Sequence, residues 1–232
     1  MTQLTDEPPV DNLEQVQAQI SGDRVAWMKG YNTGAIHLRN LITGETRQFT
    51  PRPTVVSWRL VRNRLAWQEM QLLRQTQLYL YDSAAGSVKT IEAAHGLLIF
   101  DMDENHIAWA GGPGWDEVYL YDLASGRSNM VAKDSQANGE FIVVKGGVLA
   151  WTGRTGDRTT MMVYGLETGK MKAVDGFGPY NPEIVSDGRY VAWNRGEEDS
   201  GTTVRVHEPR MAARSTWERG HGQASTRAAL HG

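Results

Sequence analysis

The stretch Asp23-Arg24-Val25-Ala26-Trp27, DRVAW, comes back four times in altered form: NRLAW ends at Trp67, NHIAW at Trp109, GVLAW at Trp151 and RYVAW at Trp193. Successive tryptophans are 40, 42, 42 and 42 residues apart. After each anchor comes a polar gap and then an apolar, aromatic segment: AIHLRNL, QLYLYDS, EVYLYDL, MMVYGLE and TVRVHEP. Four of these run into a turn of a small residue and glycine, at Thr43-Gly44, Ala85-Gly86, Ser125-Gly126 and Thr168-Gly169. A short segment follows each turn (TRQFT, SVKTI, RSNMVA, MKAVD), and QVQAQI, TVVSW, LLIFDM, FIVVKG and EIVSDG precede the anchors.

Short runs rich in branched and aromatic residues, bounded by turn residues, read as strands. Each unit therefore reads as four strands, and a four-stranded repeat of roughly 40–45 residues has the length of a propeller blade. VYLYDL is apolar on both pleat faces, as expected of a sheet covered on both sides. The expected fold is all-β: a five-bladed β-propeller of four-stranded antiparallel blades. Trp27, Trp67, Trp109, Trp151 and Trp193 are expected to form a structural ring, each filling the space between adjacent sheets. A tryptophan buries roughly 150–250 Å² in such a place.

The last repeat, NPEIVSDGRYVAWNRGEEDSGTTVRVHE (Asn181–Glu208), resembles the TolB-type β-propeller repeat, and DEVYLYDLASGRSNMVA (Asp116–Ala132) is similar to its second half. The resemblance runs from about Thr2 to Glu208. It implies a scaffold that serves as a binding module, an enzyme gate or a partner of envelope proteins, and a periplasmic or extracellular setting. VYGLETG lacks the strand aspartate and HLRNLITG replaces Tyr-Asp by Arg-Asn, so that aspartate is not a shared functional group.

The propeller is expected over residues 1–208, with 1–6 closing the last blade. TQLT (Thr2–Thr5) looks like RQFT (Arg47–Thr50) and could supply the missing outer strand; RSTWE (Arg214–Glu218) is a second candidate. The rival is a slice of a propeller with six to eight blades. Residues 209–232 lose the pattern and are expected to be a partly disordered tail. Closure matters because an open ring leaves bare sheet faces and unpaired edges.

With 40% hydrophobic residues in 232, the chain can bury a sizeable core. A formal net charge of -3 gives no overall basic field for nucleic acid or an anionic membrane. The absence of cysteine excludes disulfides, thiolate metal sites and cysteine nucleophiles. No apolar run approaches the roughly 20 residues of a membrane helix. MTQLTDEPPVDN has neither a basic n-region nor an apolar h-region, so no signal peptide is read there.

No Gly-x-Ser-x-Gly elbow, His-Glu-x-x-His pair or Walker loop occurs. Asp101, Asp103 and Asn105 alternate like the start of a calcium loop, but the central glycine and distant glutamate are missing, and the segment sits where the other repeats place a hairpin turn. No cofactor and no metal are expected. A propeller glycosidase would need two carboxylates roughly 5–10 Å apart, and only Asp101 and Glu183, with Asp187 in the following turn, fall near channel positions.

The loops between second and third strands, and those between blades, are long and unlike one another; the opposite turns are short and similar. Diversity on one face of a regular scaffold marks where function sits. There Trp115, between Gly114 and Asp116, is the leading candidate for ligand binding, with Asp116, Tyr31, Tyr180, Asn181, Arg154, Arg74 and His95. The expectation is a monomeric, non-catalytic module that recognises a protein or carbohydrate through this face. It would bind no nucleic acid and insert in no membrane. The alternatives are a glycoside-hydrolase-like propeller and a fragment of a larger TolB-like protein.

Overall fold

The computed structural model describes residues 16–29, 34–50, 54–70, 76–91, 99–112, 116–133, 141–155, 158–177, 183–197 and 201–209. Among them every regular element is a strand. The first sheet holds β1 (Val16–Ser21), β2 (Arg24–Lys29), β3 (Ile36–Asn40) and β4 (Thr46–Phe49). The second holds β5 (Thr54–Val61), β6 (Arg64–Met70), β7 (Thr76–Asp82) and β8 (Ser87–Ile91). The third holds β9 (Ile99–Met102), β10 (His106–Gly111), β11 (Glu117–Asp122) and β12 (Arg127–Ala132). The fourth holds β13 (Ile142–Lys145), β14 (Val148–Thr155), β15 (Arg158–Gly165) and β16 (Lys170–Phe177). The fifth holds β17 (Ile184–Ser186), β18 (Val191–Glu197) and β19 (Gly201–His207).

Within each sheet the strands lie in chain order and pair antiparallel. The small-Gly signals close the outer hairpins as read: Gly44 N–H donates to Asn40 O, Gly86 to Asp82 O, Gly126 to Asp122 O and Gly169 to Gly165 O, at 2.8–2.9 Å. Among the described residues the fifth sheet has three strands. Thr2–Thr5 and Arg214–Glu218, the candidates for its fourth, lie outside the described residues, as does most of the tail.

The Ala-Trp pair is a two-sided unit. Neighbouring residues of a strand point to opposite faces, so each alanine looks toward the next sheet and each tryptophan toward the previous one. Trp67 packs in a cluster with Ala26, Met28, Ile36 and Leu38 of the first sheet. Trp109 packs with Ala66, Leu78 and Leu80. Trp151 packs with Ala108, Ala110 and Val118, and Trp193 with Val148, Ala150, Met161 and Val163. The alanine removes the bulk that would block the indole from the next repeat. Four interfaces between five sheets are thus filled by one chemistry.

Among the described residues four of the five repeat tryptophans, Trp67, Trp109, Trp151 and Trp193, lie between two sheets. Among the described residues no sheet precedes the first; Trp27 is half-buried and stacks on His37 of its own sheet, with ring centroids 5.1 Å apart.

Polar side chains of the first strands tie neighbouring sheets edge to edge. Gln19 Oε1 accepts Leu60 N–H at 2.8 Å and its amide donates to Trp58 O at 3.0 Å. Two repeats on, Asp101 Oδ2 accepts Val144 N–H at 3.0 Å and Asp103 Oδ2 accepts Gly146 N–H at 3.1 Å. Asp103 Oδ1 meanwhile caps its own turn through Asn105 N–H and His106 N–H, at 2.8 and 2.7 Å. The alternating acids are therefore turn and latch residues, in keeping with the hairpin reading. At Gly146 (φ 53) an added Cβ would sit 2.9 Å from Gly188 Cα, so the fourth and fifth sheets meet there backbone to backbone.

Candidate functional site

One end of every sheet carries the connection between its second and third strands, along with the connection to the next sheet. Of the residues singled out on this face, Tyr31, Arg74, His95, Trp115, Tyr180 and Asn181 lie outside the described residues. Arg154 is placed by its backbone on β14, opposite Thr159 of β15. Asp116 is half-buried and leads directly into β11.

What the described residues show is the floor beneath those loops. On the third sheet Trp109 of β10 and Tyr119 of β11 are cross-strand partners and stack at 5.3 Å with 11° between the rings. The Tyr119 hydroxyl donates to Glu117 Oε2 at 2.7 Å. Burial, then the hydrogen bond and charge of Glu117 and the charge of Asp116, push the Tyr119 phenol up to about 12. It stays a neutral donor at any physiological pH. Glu117 reaches over Gly112, where a Cβ would collide with its carboxylate; Gly112 also has φ 94. That glycine makes the room for the acid at the root of the Trp115 loop.

The second sheet repeats the arrangement with another spacing. Trp67 stacks on Tyr79 at 5.5 Å, and its indole N–H donates to Glu69 Oε1 at 2.7 Å, the glutamate being buried. Burial and then the Glu69 charge raise the Tyr79 phenol. On the fifth sheet the Trp193 indole donates to Asp175 Oδ2 of β16 at 3.3 Å. An acid paired with a ring thus stands under the loop face at Glu69, Glu117 and Asp175. Sequence reasoning missed all three. The Tyr of LYLY and VYLY, opposite Trp67 and Trp109, was the available signal for two of them; the acids come from different strands and share no motif.

On β9, Asp101 is held between sheets. Arg59 Nε donates to its Oδ1 at 3.0 Å from the second sheet, and Val144 N–H to its Oδ2 from the fourth. Glu183 is exposed. Asp187 Oδ1 accepts Arg189 N–H and Tyr190 N–H at 2.8 and 2.7 Å, and these bonds hold its carboxyl below the usual range. Among the described residues no three His, Asp or Glu side chains gather as a metal site. No helix there is long and apolar enough to cross a membrane.

No protein-family model and no curated protein matches the sequence. Solved structures do. The β-propeller domain of the trilobed protease from Pyrococcus furiosus, which has an open velcro topology, matches with a TM-score of 0.60 at 15% identity, over 91% of this chain and 75% of that one. TolB from Acinetobacter baumannii matches with a TM-score of 0.57 at 14% identity, over 84% of this chain and 52% of that one. A prolyl endopeptidase matches at 0.64 and 11% identity, over 88% of this chain and 36% of that one.

The fold is that of a TolB-like β-propeller. The chain spans about half the length of TolB and about a third of the endopeptidase, and at these identities the likeness extends to the fold alone.

Proposed function

We propose that this propeller is a non-catalytic binding module that recognises a protein or a glycan through the face bearing the long loops. The observation that supports it most is the state of Asp101. The acid best placed to serve channel chemistry is bound on one oxygen by Arg59 and on the other by Val144 N–H, so it ties three sheets together. The loop face rests instead on neutral aromatic donors fixed by buried or half-buried acids, a rigid floor for adaptable loops. The structures it resembles include the propeller domain of a protease, a prolyl endopeptidase and TolB.

The test is a screen of the purified chain on peptide and glycan arrays, followed by titration of the best ligand with Trp115→Ala and Asp116→Asn variants. The expected result is a loss of affinity of at least tenfold with the melting temperature unchanged. A ligand that binds equally to both variants would move the site off this face. Turnover of a bound glycan would favour the hydrolase reading.

A further inference from the structure

The two ends of the row of sheets expose matching halves of one more interface. In the second, third and fourth sheets the residue seven positions before the repeat tryptophan is Leu60, Met102 or Val144, exposed by only 6%, 4% and 1% because the preceding sheet covers it. In the first sheet that residue is Ile20, exposed by 70%. Trp27 and Val25 lie on the same face as Ile20.

At the other end, the positions that receive the next tryptophan are Leu78, Val118 and Met161 in sheets two to four, each exposed by 0%. Their counterpart in the fifth sheet is Val204, exposed by 72%, beside Val206 at 63% and Val185 at 56%. Glu183, Val185, Ala192, Asn194 and Val204 line a shallow open groove there.

The polar groups of the two faces are complementary too. Arg39 and His37 stand on the open face of the first sheet, opposite Val25 and Trp27. Glu183 and Asp187 alternate with Val185 on the open face of the fifth. Asp187 also repeats Asp103, with one oxygen capping its own turn. In Asp103 the second oxygen takes the N–H of Gly146, five residues before the next repeat tryptophan. The residue at that place in the first sheet is Gly22, with φ 60 against 53 for Gly146.

We infer that the open face of the fifth sheet docks onto the open face of the first sheet of a second copy of this chain, with Trp27 against Ala192 and Val204 and Asp187 accepting Gly22 N–H. Among the described residues of one molecule nothing covers either face, and four packed interfaces stand between them; close-packed cores resist the readjustment that self-closure would need. A second copy needs none. The contact is head to tail, so its two surfaces differ.

Two single-face variants, Ile20→Glu and Val204→Glu, separate the possibilities in sedimentation equilibrium. The wild-type chain is expected to gain mass above one copy as concentration rises, and each variant alone to associate at least tenfold more weakly. Their mixture should recover association and stop at two copies, since each supplies the face the other has lost. Because the chain has no cysteine, an Ile20→Cys, Val185→Cys double variant adds a covalent readout, expected to form disulfide-linked multimers. A wild-type chain that stays monomeric, a mixture that does not pair, or a disulfide closed within one chain would each overturn the inference.

Discussion

Trp151 and Trp27 occupy the same place in their repeats and live in different surroundings. Trp151 is fully buried between the third and fourth sheets, while Trp27 is half-buried and stacks on His37 of its own sheet, with no second sheet over it among the described residues. The difference shows where the stability of a repeat comes from. Hydrogen bonding within the sheet is the same in both; what changes is the neighbour. A repeat of this kind buries its tryptophan only by borrowing the alanine face of the previous one, and stability is then a sum over neighbouring interfaces.

Truncation is the strongest way to break that comparison. Trp151→Ala should cost about 3–5 kcal/mol, the usual cost of emptying a buried aromatic site. Trp27→Ala should cost less than half of that, measured by denaturant unfolding of both variants under one condition. Equal losses would mean that Trp27 is covered as well as Trp151 is.

A smaller effect belongs to Asp103, whose carboxylate joins the third sheet to the fourth. Burial alone would raise its pKa, but the His106 ring and the N–H groups of Asn105 and His106 outweigh burial and hold it below the ordinary value. Its contribution is therefore complete above the unfolded pKa of about 3.9 and is lost as pH falls through the lower folded value. Asp103→Ala should cost about 1–3 kcal/mol at neutral pH, the penalty for unpaired buried donors. It should also flatten the acid limb of a stability–pH curve. The same change at exposed Asp187 should be much milder in the monomer.

Gly146→Ala sharpens the comparison at the backbone. Both Gly146 and Gly22 have positive φ, so alanine at either costs about 1 kcal/mol or more. Of the two, only Gly146 faces another backbone: a Cβ added there would sit 2.9 Å from Gly188 Cα, whereas nothing lies within 4 Å of a Cβ at Gly22. The first variant should melt measurably below the second. The smallest effect is expected at the exposed ion pair of Arg189 and Glu208, 3.0 Å apart. Such surface pairs contribute little, and Arg189→Ala should leave the melting curve unchanged within error.

The architecture was legible because it rests on period. VYLYDL, the Ala-Trp anchors and the small-Gly turns each report a local requirement, and their recurrence near 42 residues left few folds open. The segments EIVSDG, RYVAW and TVRVHEP of the last repeat overlap β17, β18 and β19. The floor of the loop face was not legible. Glu69 meets Trp67 on its own strand, Glu117 meets Tyr119 beside a glycine, and Asp175 reaches Trp193 from the preceding sheet. Three geometries converge on one kind of contact, and no spacing encodes that. Gln19 and Asp101 were equally hidden, since an amide and a carboxylate serve the same latch. Most of the ligand-binding candidates lie outside the described residues, and their face is tied to known contacts at its floor, at Glu69, Glu117 and Asp175.

Hydrogen exchange, followed strand by strand in dilute solution, tests the central claim most directly. If neighbouring sheets supply the protection, the amides of β6, β10 and β14 should exchange slowest, and those of β1 to β3 and β17 to β19 measurably faster. Uniform protection from the first sheet to the fifth would contradict it, and would mean that the end faces are covered in the single molecule.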